Sequence, residues 1–137
     1  MVPFELNYCG NSIVISNFYY DPEAAKSGNP YNTTFNIIVE SEGFKGIGSC
    51  EYDIKEFLLF SKQIKDLYNF KRHKVYYEEI VYGSHISFNM DRKGHINISG
   101  EIFGNAMIHS LKFEFMADQT SLKPFVDSLK QVYCCQP

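Results

Sequence analysis

One stretch constrains this chain more than any other: two alternating runs within residues 85–102, joined by a short turn. Ile86, Phe88 and Met90 alternate with His85, Ser87 and Asn89, and Ile96, Ile98 and Ile102 alternate with His95, Asn97, Ser99 and Glu101. A period of two is the mark of a strand with one face buried. Matching apolar to apolar pairs Met90 with Ile96 and Phe88 with Ile98. It also sets Asp91 opposite His95 and His85 opposite Glu101, leaving Arg92-Lys93-Gly94 as the loop. A three-residue loop with Gly at the left-handed position is a favoured antiparallel connection. Pattern and turn chemistry therefore give the same register. A chain built on such a hairpin carries a sheet with one apolar face and one open, polar face.

The rest of the chain is read around that hairpin. Residues 4–8 and 12–20 read as strands joined by a turn at Cys9-Gly10-Asn11-Ser12, and Asp21 to Pro30 reads as a loop rich in Pro, Gly, Ser and Asn. Thr33 to Glu40 alternates with Phe35, Ile37 and Val39 on one face, then turns at Ser41-Glu42-Gly43 into a partner strand, Phe44 to Glu51. Ile54, Phe57, Leu58, Ile64, Leu67 and Tyr68 fall at helical spacing behind Asp53, a good helix cap, with Glu56 three residues on as in a capping box. This predicts a helix over 54–69. A third strand of the second group is expected at about 107–116, with Leu111, Phe113 and Phe115 inward, Lys112 and Glu114 outward and His109 partly buried. Leu122, Phe125, Val126, Leu129, Val132 and Tyr133 make a second amphipathic helix, capped by Thr120 or Ser121. No internal repeat or linker interrupts residues 1–137. The expectation is one α+β domain, strands–helix–strands–helix, with a mainly antiparallel β-sheet and two amphipathic helices packed on one face.

Charge narrows the function. There are 13 Lys+Arg against 16 Asp+Glu in 137 residues, net −3. Broad nucleic-acid binding needs many phosphate-neutralising cations, so no nucleic-acid partner is expected. Residues 54–75 hold 6 cations against 2 anions, whereas residues 1–53 hold 2 against 7; the basic block reads as a solvated helix face and its exit loop. No run reaches the roughly 18 apolar residues of a membrane span. The opening Met1-Val2-Pro3-Phe4-Glu5 lacks the basic and apolar regions of a secretory signal. Cys9, Cys50, Cys134 and Cys135 form no CxxC pair. The expectation is a cytoplasmic protein with reduced thiols, no metal and no cofactor.

The residue types that carry chemistry do not assemble into a catalytic motif. Gly43-Phe44-Lys45-Gly46-Ile47-Gly48 is not a phosphate loop, because no helix opens on it; it reads as a twisted or bulged strand. No G-x-S-x-G elbow is present, and Cys50 stands among acids, the wrong sign for an activated thiol. A hydrolase built on His85, His95 and Glu101 ranks last. Tyrosine says more. Ten Tyr and no Trp include two clusters mixed with acids, Tyr19-Tyr20-Asp21-Pro22-Glu23 and Tyr76-Tyr77-Glu78-Glu79. Tyr offers a large rigid face with a polar tip, and acids beside it suit a basic protein surface. Tyr19, Tyr20, Asp21, Glu23, Tyr76, Tyr77, Glu78 and Glu79 are the partner-binding candidates. His85, Asn89, Asn97 and Glu101 on the open sheet face are the alternative.

Between residues 33 and 133 the chain resembles the WapI-type immunity proteins. The resemblance rests on Gly43-Phe44-Lys45-Gly46, on Phe57 to Leu67, on Gly94-His95-Ile96-Asn97-Ile98-Ser99-Gly100 and on Leu111-Lys112-Phe113-Glu114-Phe115. The most distinctive piece is Asp118-Gln119-Thr120-Ser121-Leu122 with Phe125 and Leu129. The resemblance implies a small cytoplasmic, non-enzymatic protein that binds and neutralises the cognate toxin C-terminal domain of a polymorphic, contact-dependent system. Such toxins include nucleases. The motifs are structural and supply no binding residues. The alternative is a small-ligand or protein-binding domain using its open polar sheet face.

Overall fold

A computed structural model describes residues 1–135. Turn chemistry builds its first half. Cys9-Gly10 (φ 50° and 84°) and Glu42-Gly43 (φ 51° and 85°) each place two residues in the left-handed region. That conformation matches the twist of the strands it joins. The first turn joins β1 (Phe4–Tyr8) to β2 (Asn11–Tyr20), and the second joins β3 (Thr33–Ser41) to β4 (Phe44–Tyr52). Between β2 and β3, the segment expected as loop holds a short helix, α1 (Pro22–Lys26). Its cause is local: the Asp21 carboxylate accepts the N–H groups of Glu23 and Ala24, and Pro22 opens the first turn.

The first sheet, β1-β2-β3-β4, is antiparallel throughout, and α2 (Ile54–Tyr68) leaves its last strand. Asp53 caps α2 by accepting from Lys55 N–H, and buried Asn32 takes Ile54 N–H at 2.8 Å; among the described residues Glu56 makes no capping-box bond back to Asp53 N–H. The second sheet is β5 (Lys74–Glu78), β6 (His85–Met90), β7 (His95–Phe103) and β8 (Ser110–Asp118), again antiparallel and in chain order. Helix α3 (Leu122–Leu129) follows it. The fold is α+β and mainly sheet, as the pattern implied, but its strands form two four-stranded sheets rather than one. A helix separates β4 from β5, so the ladder starts afresh. Setting α1 aside, the order four strands then helix occurs twice, a repeat of topology with no repeat of sequence.

The hairpin register is as expected: Phe88 pairs with Ile98, Met90 with Ile96 and His85 with Glu101. Asp91 holds the turn, accepting from Lys93 N–H, His95 N–H and the His95 ring. Residues 74–78, not read as a strand, form β5 with Val75 and Tyr77 buried and Lys74, Tyr76 and Glu78 exposed. The β7–β8 loop runs to His109, because Ala106 and Met107 (φ 56° and 59°) turn the chain there. His109 is therefore exposed rather than partly buried. Asp118, not Thr120 or Ser121, caps the turn that leads into α3, accepting from Ser121 N–H at 3.1 Å.

Both apolar sheet faces and both helices share one core. Phe57 lies on the first sheet, 6.0 Å from Phe4, 4.9 Å from Phe18 and 5.3 Å from Phe35 between ring centres. One turn later, Phe60 lies 5.5 Å from Tyr77 and 6.1 Å from Phe88 of the second sheet, and 6.4 Å from Phe125 of α3. The glycine-rich strand now has a reason. A Cβ on Gly48 would sit 2.9 Å from the Phe103 carbonyl oxygen, and one on Gly46 would sit 2.9 Å from Leu111 Cβ. These glycines let β4 cross close over the end of β7 and β8.

A strap over residues 79–84 ties the two sheets at their other meeting point. The buried Glu79 carboxylate accepts the N–H groups of Glu51 (3.2 Å), Val81 (3.0 Å), Gly83 (3.0 Å) and Tyr82. Ser84 Oγ accepts Phe103 N–H at 2.9 Å. Glu79→Gln replaces an acceptor-only group with one that brings its own donor to these N–H groups, and is expected to cost about 1–3 kcal/mol. Gly→Ala in a compatible strand stabilises by about 0.4–1 kcal/mol; Gly48→Ala is expected to reverse that sign and cost about 1–3 kcal/mol from overpacking. Phe125→Ala, fully buried, is expected to cost about 3–5 kcal/mol. Denaturant unfolding of the three variants measures each value, and a Gly48→Ala variant more stable than the parent refutes the close crossing.

Candidate functional site

With both apolar faces turned inward, the outer faces and the loops between them are what the chain presents. On the first sheet a bulge decides which residues those are. Ser16 pairs with Asn36, but the next pair is Tyr19 with Thr34, so β2 carries one extra residue, and Asn17 takes φ 54° to absorb it. Parity reverses across the bulge. Ile13 and Ile15 point inward before it; Phe18 packs inward after it, and Tyr19 points out at 62% exposure. Tyr19, Thr34 and Glu51 then form one exposed cross-strand row. A cavity of about 340 Å³ lies beside it, between Asn17, Asn36 and Ser49 on the sheet and Val81, Tyr82 and Asn105 on the loops.

The second sheet's outer face is ordered by its register. One row reads Glu78, His85, Glu101, Lys112, one residue from each strand. The next reads Tyr76, Ser87, Ser99, Glu114, and the third Lys74, Asn89, Asn97, Met116. A hollow of about 610 Å³ opens over the first two rows, from His85 to Glu114. Tyr76 donates its hydroxyl proton to Glu78 Oε2 at 2.8 Å, and this bond raises the tyrosine's pKa by holding the proton in place. Its ring lies 6.2 Å from that of His85, and His85 Nδ1 contacts Gly83 O at 3.0 Å. Asn97 donates to Glu114 Oε2 at 3.0 Å.

The two tyrosine–acid clusters thus divide. Tyr76 and Glu78 share the open face with His85, Asn89, Asn97 and Glu101. Tyr77 and Glu79 do not: alternation along β5 turns Tyr77 into the core at 1% exposure, and Glu79 is the buried centre of the strap. Neither is accessible as a contact, which corrects the candidate set. Tyr77 stands against the Cys50 thiol with its hydroxyl pKa raised well above the usual value, burial being the main cause. Tyr19 is exposed, Tyr20 half-buried, Asp21 occupied in capping α1, and Glu23 exposed beside Lys26. The first cluster therefore lies at the end of the first sheet, on a different face from Tyr76. Lys112 and Glu114 belong to the open-face site, although sequence reading did not join them to it. Their outward parity in the third strand was the available signal.

The histidines do not assemble. His95 and Glu101 stand six positions apart on β7, roughly 20 Å, and His95 pairs with Asp91 at 3.0 Å in the turn. A hydrolase on His85, His95 and Glu101 has no geometry to work with. Burial pushes the Cys50 thiol up to about 12, the reverse of an activated nucleophile. Among the described residues no group of three His, Cys, Asp or Glu is placed to hold a metal ion, and no helix is long and apolar enough to cross a membrane.

Comparison of the chain with protein-family models and with curated proteins finds no match to either.

Proposed function

We propose that this chain is a non-enzymatic immunity protein that binds and neutralises a cognate toxin domain through the outer face of its second sheet. The carrying observation is the composition of that face. Three carboxylates, Glu78, Glu101 and Glu114, and the half-exposed ring of Tyr76 stand in two adjacent rows with one cation, Lys112, and Glu101 and Glu114 line the hollow there. None of the three carboxylates is in an ion pair among the described residues. An acidic face with an aromatic anchor complements a basic protein surface, and a toxin that cuts nucleic acid must itself offer cations to phosphates. The resemblance to immunity proteins supports the same reading.

A second reading has an observation of its own. The 610 Å³ hollow over His85, Ser87, Ser99 and Glu101 is large enough for a small polar ligand. In that case the open face serves a ligand rather than a protein.

Co-expression with a candidate toxin domain, sought among the genes neighbouring this chain's own, tests the first reading. Growth rescue and one-to-one co-purification are expected. Tyr76→Ala is expected to weaken binding by about 2 kcal/mol or more, roughly thirtyfold, as an aromatic anchor does. Glu78→Gln and Glu101→Gln are expected to slow association and flatten its salt dependence. Absence of both rescue and co-purification rejects immunity. Rescue that survives Tyr76→Ala but not Tyr19→Ala moves the contact to the bulge of the first sheet.

A further inference from the structure

Strand β8 is an edge strand, and its edge does not face open solvent. Gln119 N–H bonds Gly94 O at one end of the β7–β8 ladder, and Gly104 N–H bonds His109 O at the other. Bonded pairs alternate with non-bonded pairs in an antiparallel ladder. The backbone groups of Lys112, Glu114 and Met116 therefore point away from β7, toward the hairpins of the first sheet. One hydrogen bond crosses the gap, from Ser41 Oγ to Glu114 O at 3.3 Å. On either side of that bridge lies a hollow. One of about 320 Å³ runs between Phe44 and Glu42 on the β3–β4 turn and Lys112 on β8. The other, about 440 Å³, runs between Tyr8 and Asn11 on the first hairpin and Asn97 and Met116. Both hollows are bordered by Glu42 and Glu114.

This slot has a definite chemistry. Phe44 at 70% exposure and Met116 at 52% are large apolar groups left in water at its two ends. Between them, each carboxylate is held by one amide, Glu42 by Asn11 at 3.3 Å and Glu114 by Asn97 at 3.0 Å. Those amides fix the carboxylates in place and neutralise neither. Among the described residues, neither forms an ion pair. A wholly apolar occupant would strip water from two carboxylates without return, and a phosphate would meet those two carboxylates against the single cation Lys112. A cationic side chain with an aliphatic stem satisfies both parts, its head on a carboxylate and its stem or planar guanidinium on an exposed ring or thioether.

We propose that this slot along β8 holds an extended Arg- or Lys-rich segment of the partner protein. Its cationic heads lie at Glu42 and Glu114, and its side-chain stems lie against Phe44 and Met116. The identity of that partner as a toxin rests on the immunity reading; the chemistry of the segment rests on the slot alone.

The test uses the full chain, ¹⁵N-labelled, with two eight-residue peptides, one alternating Arg and Ser and one alternating Asp and Ser. The Arg peptide is expected to shift the amide signals of Phe44, Lys112, Glu114 and Met116, leaving Thr34 and Glu51 unmoved. The Asp peptide is expected to shift none. The double variant Glu42→Gln/Glu114→Gln keeps side-chain size and the amide neighbours. It is expected to melt with the parent and to bind the Arg peptide at least tenfold more weakly. Shifts spread over every exposed acid of the surface, or binding unchanged in the double variant, overturn the slot. The same variant separates this inference from the reading beneath it. Toxin binding unaffected by the double variant but lost in Tyr76→Ala keeps immunity and rejects the slot as its contact. Peptide binding confined to the slot, with no rescue from any neighbouring toxin, keeps the slot and rejects immunity.

Discussion

The fold depends on one aromatic pair. Phe57 and Phe60 stand one helical turn apart, their rings 5.9 Å between centres, and each faces a different sheet. In α2 the i, i+3 spacing puts two side chains on neighbouring parts of one face. That is how a single helix serves two sheets at once. Phe57 collects Phe4, Phe18 and Phe35; Phe60 collects Tyr77, Phe88 and Phe125. Neither sheet closes on itself, so each needs a cover for its apolar face. The helices are that cover for both, and the outer faces are left polar as a consequence.

The places where the sheets meet are set by very different means. At the β4 crossing the backbone itself must come close, and glycine alone leaves room, with Phe103 O only 2.9 Å from where a Cβ on Gly48 would lie. At the strap, a charge is taken inside to hold backbone donors. Four N–H groups around Glu79 give a buried carboxylate the partners it needs. The strap in turn sets Gly83, whose carbonyl meets the His85 ring, at the head of the open face. The packing of the two halves and the shape of the candidate site are therefore linked through one side chain.

What was legible in the sequence follows the range of the interactions. The β6–β7 register could be read because alternation and turn residues lie within eighteen positions of one another. The extent of α2 was equally local. The division into two sheets was not, since nothing near Tyr52 or Lys74 states that β4 and β5 belong to separate ladders. The site suffered from one-residue effects. A single inserted residue at Asn17 reverses parity and brings Tyr19 to the surface. Simple alternation in β5 separates Tyr76 from Tyr77, and that much was readable once Lys74 to Glu78 was taken as a strand. The burial of Glu79 was not readable, because its donors come partly from Glu51, twenty-eight positions earlier.

The distribution of charge completes the argument about where a partner goes. The basic block belongs to α2 and its exit, where Lys55, Lys62, Lys65 and Lys71 are exposed away from the apolar stripe. The acids of the open face and the slot come from other elements: Glu42 from a turn, Glu78 from β5, Glu101 from β7 and Glu114 from β8. Chain order scatters these four residues over seventy-two positions; the fold brings Glu42 and Glu114 together beside β8 and sets Glu78 and Glu101 in one row across the second sheet. A net charge of −3 understates this, because it averages a basic helix with an acidic sheet. A cationic partner approaching β8 meets Glu42 and Glu114 where exposed Phe44 and Met116 offer apolar area. Steering and adhesion therefore act at the same place, which is the condition for a charged surface to become a specific one.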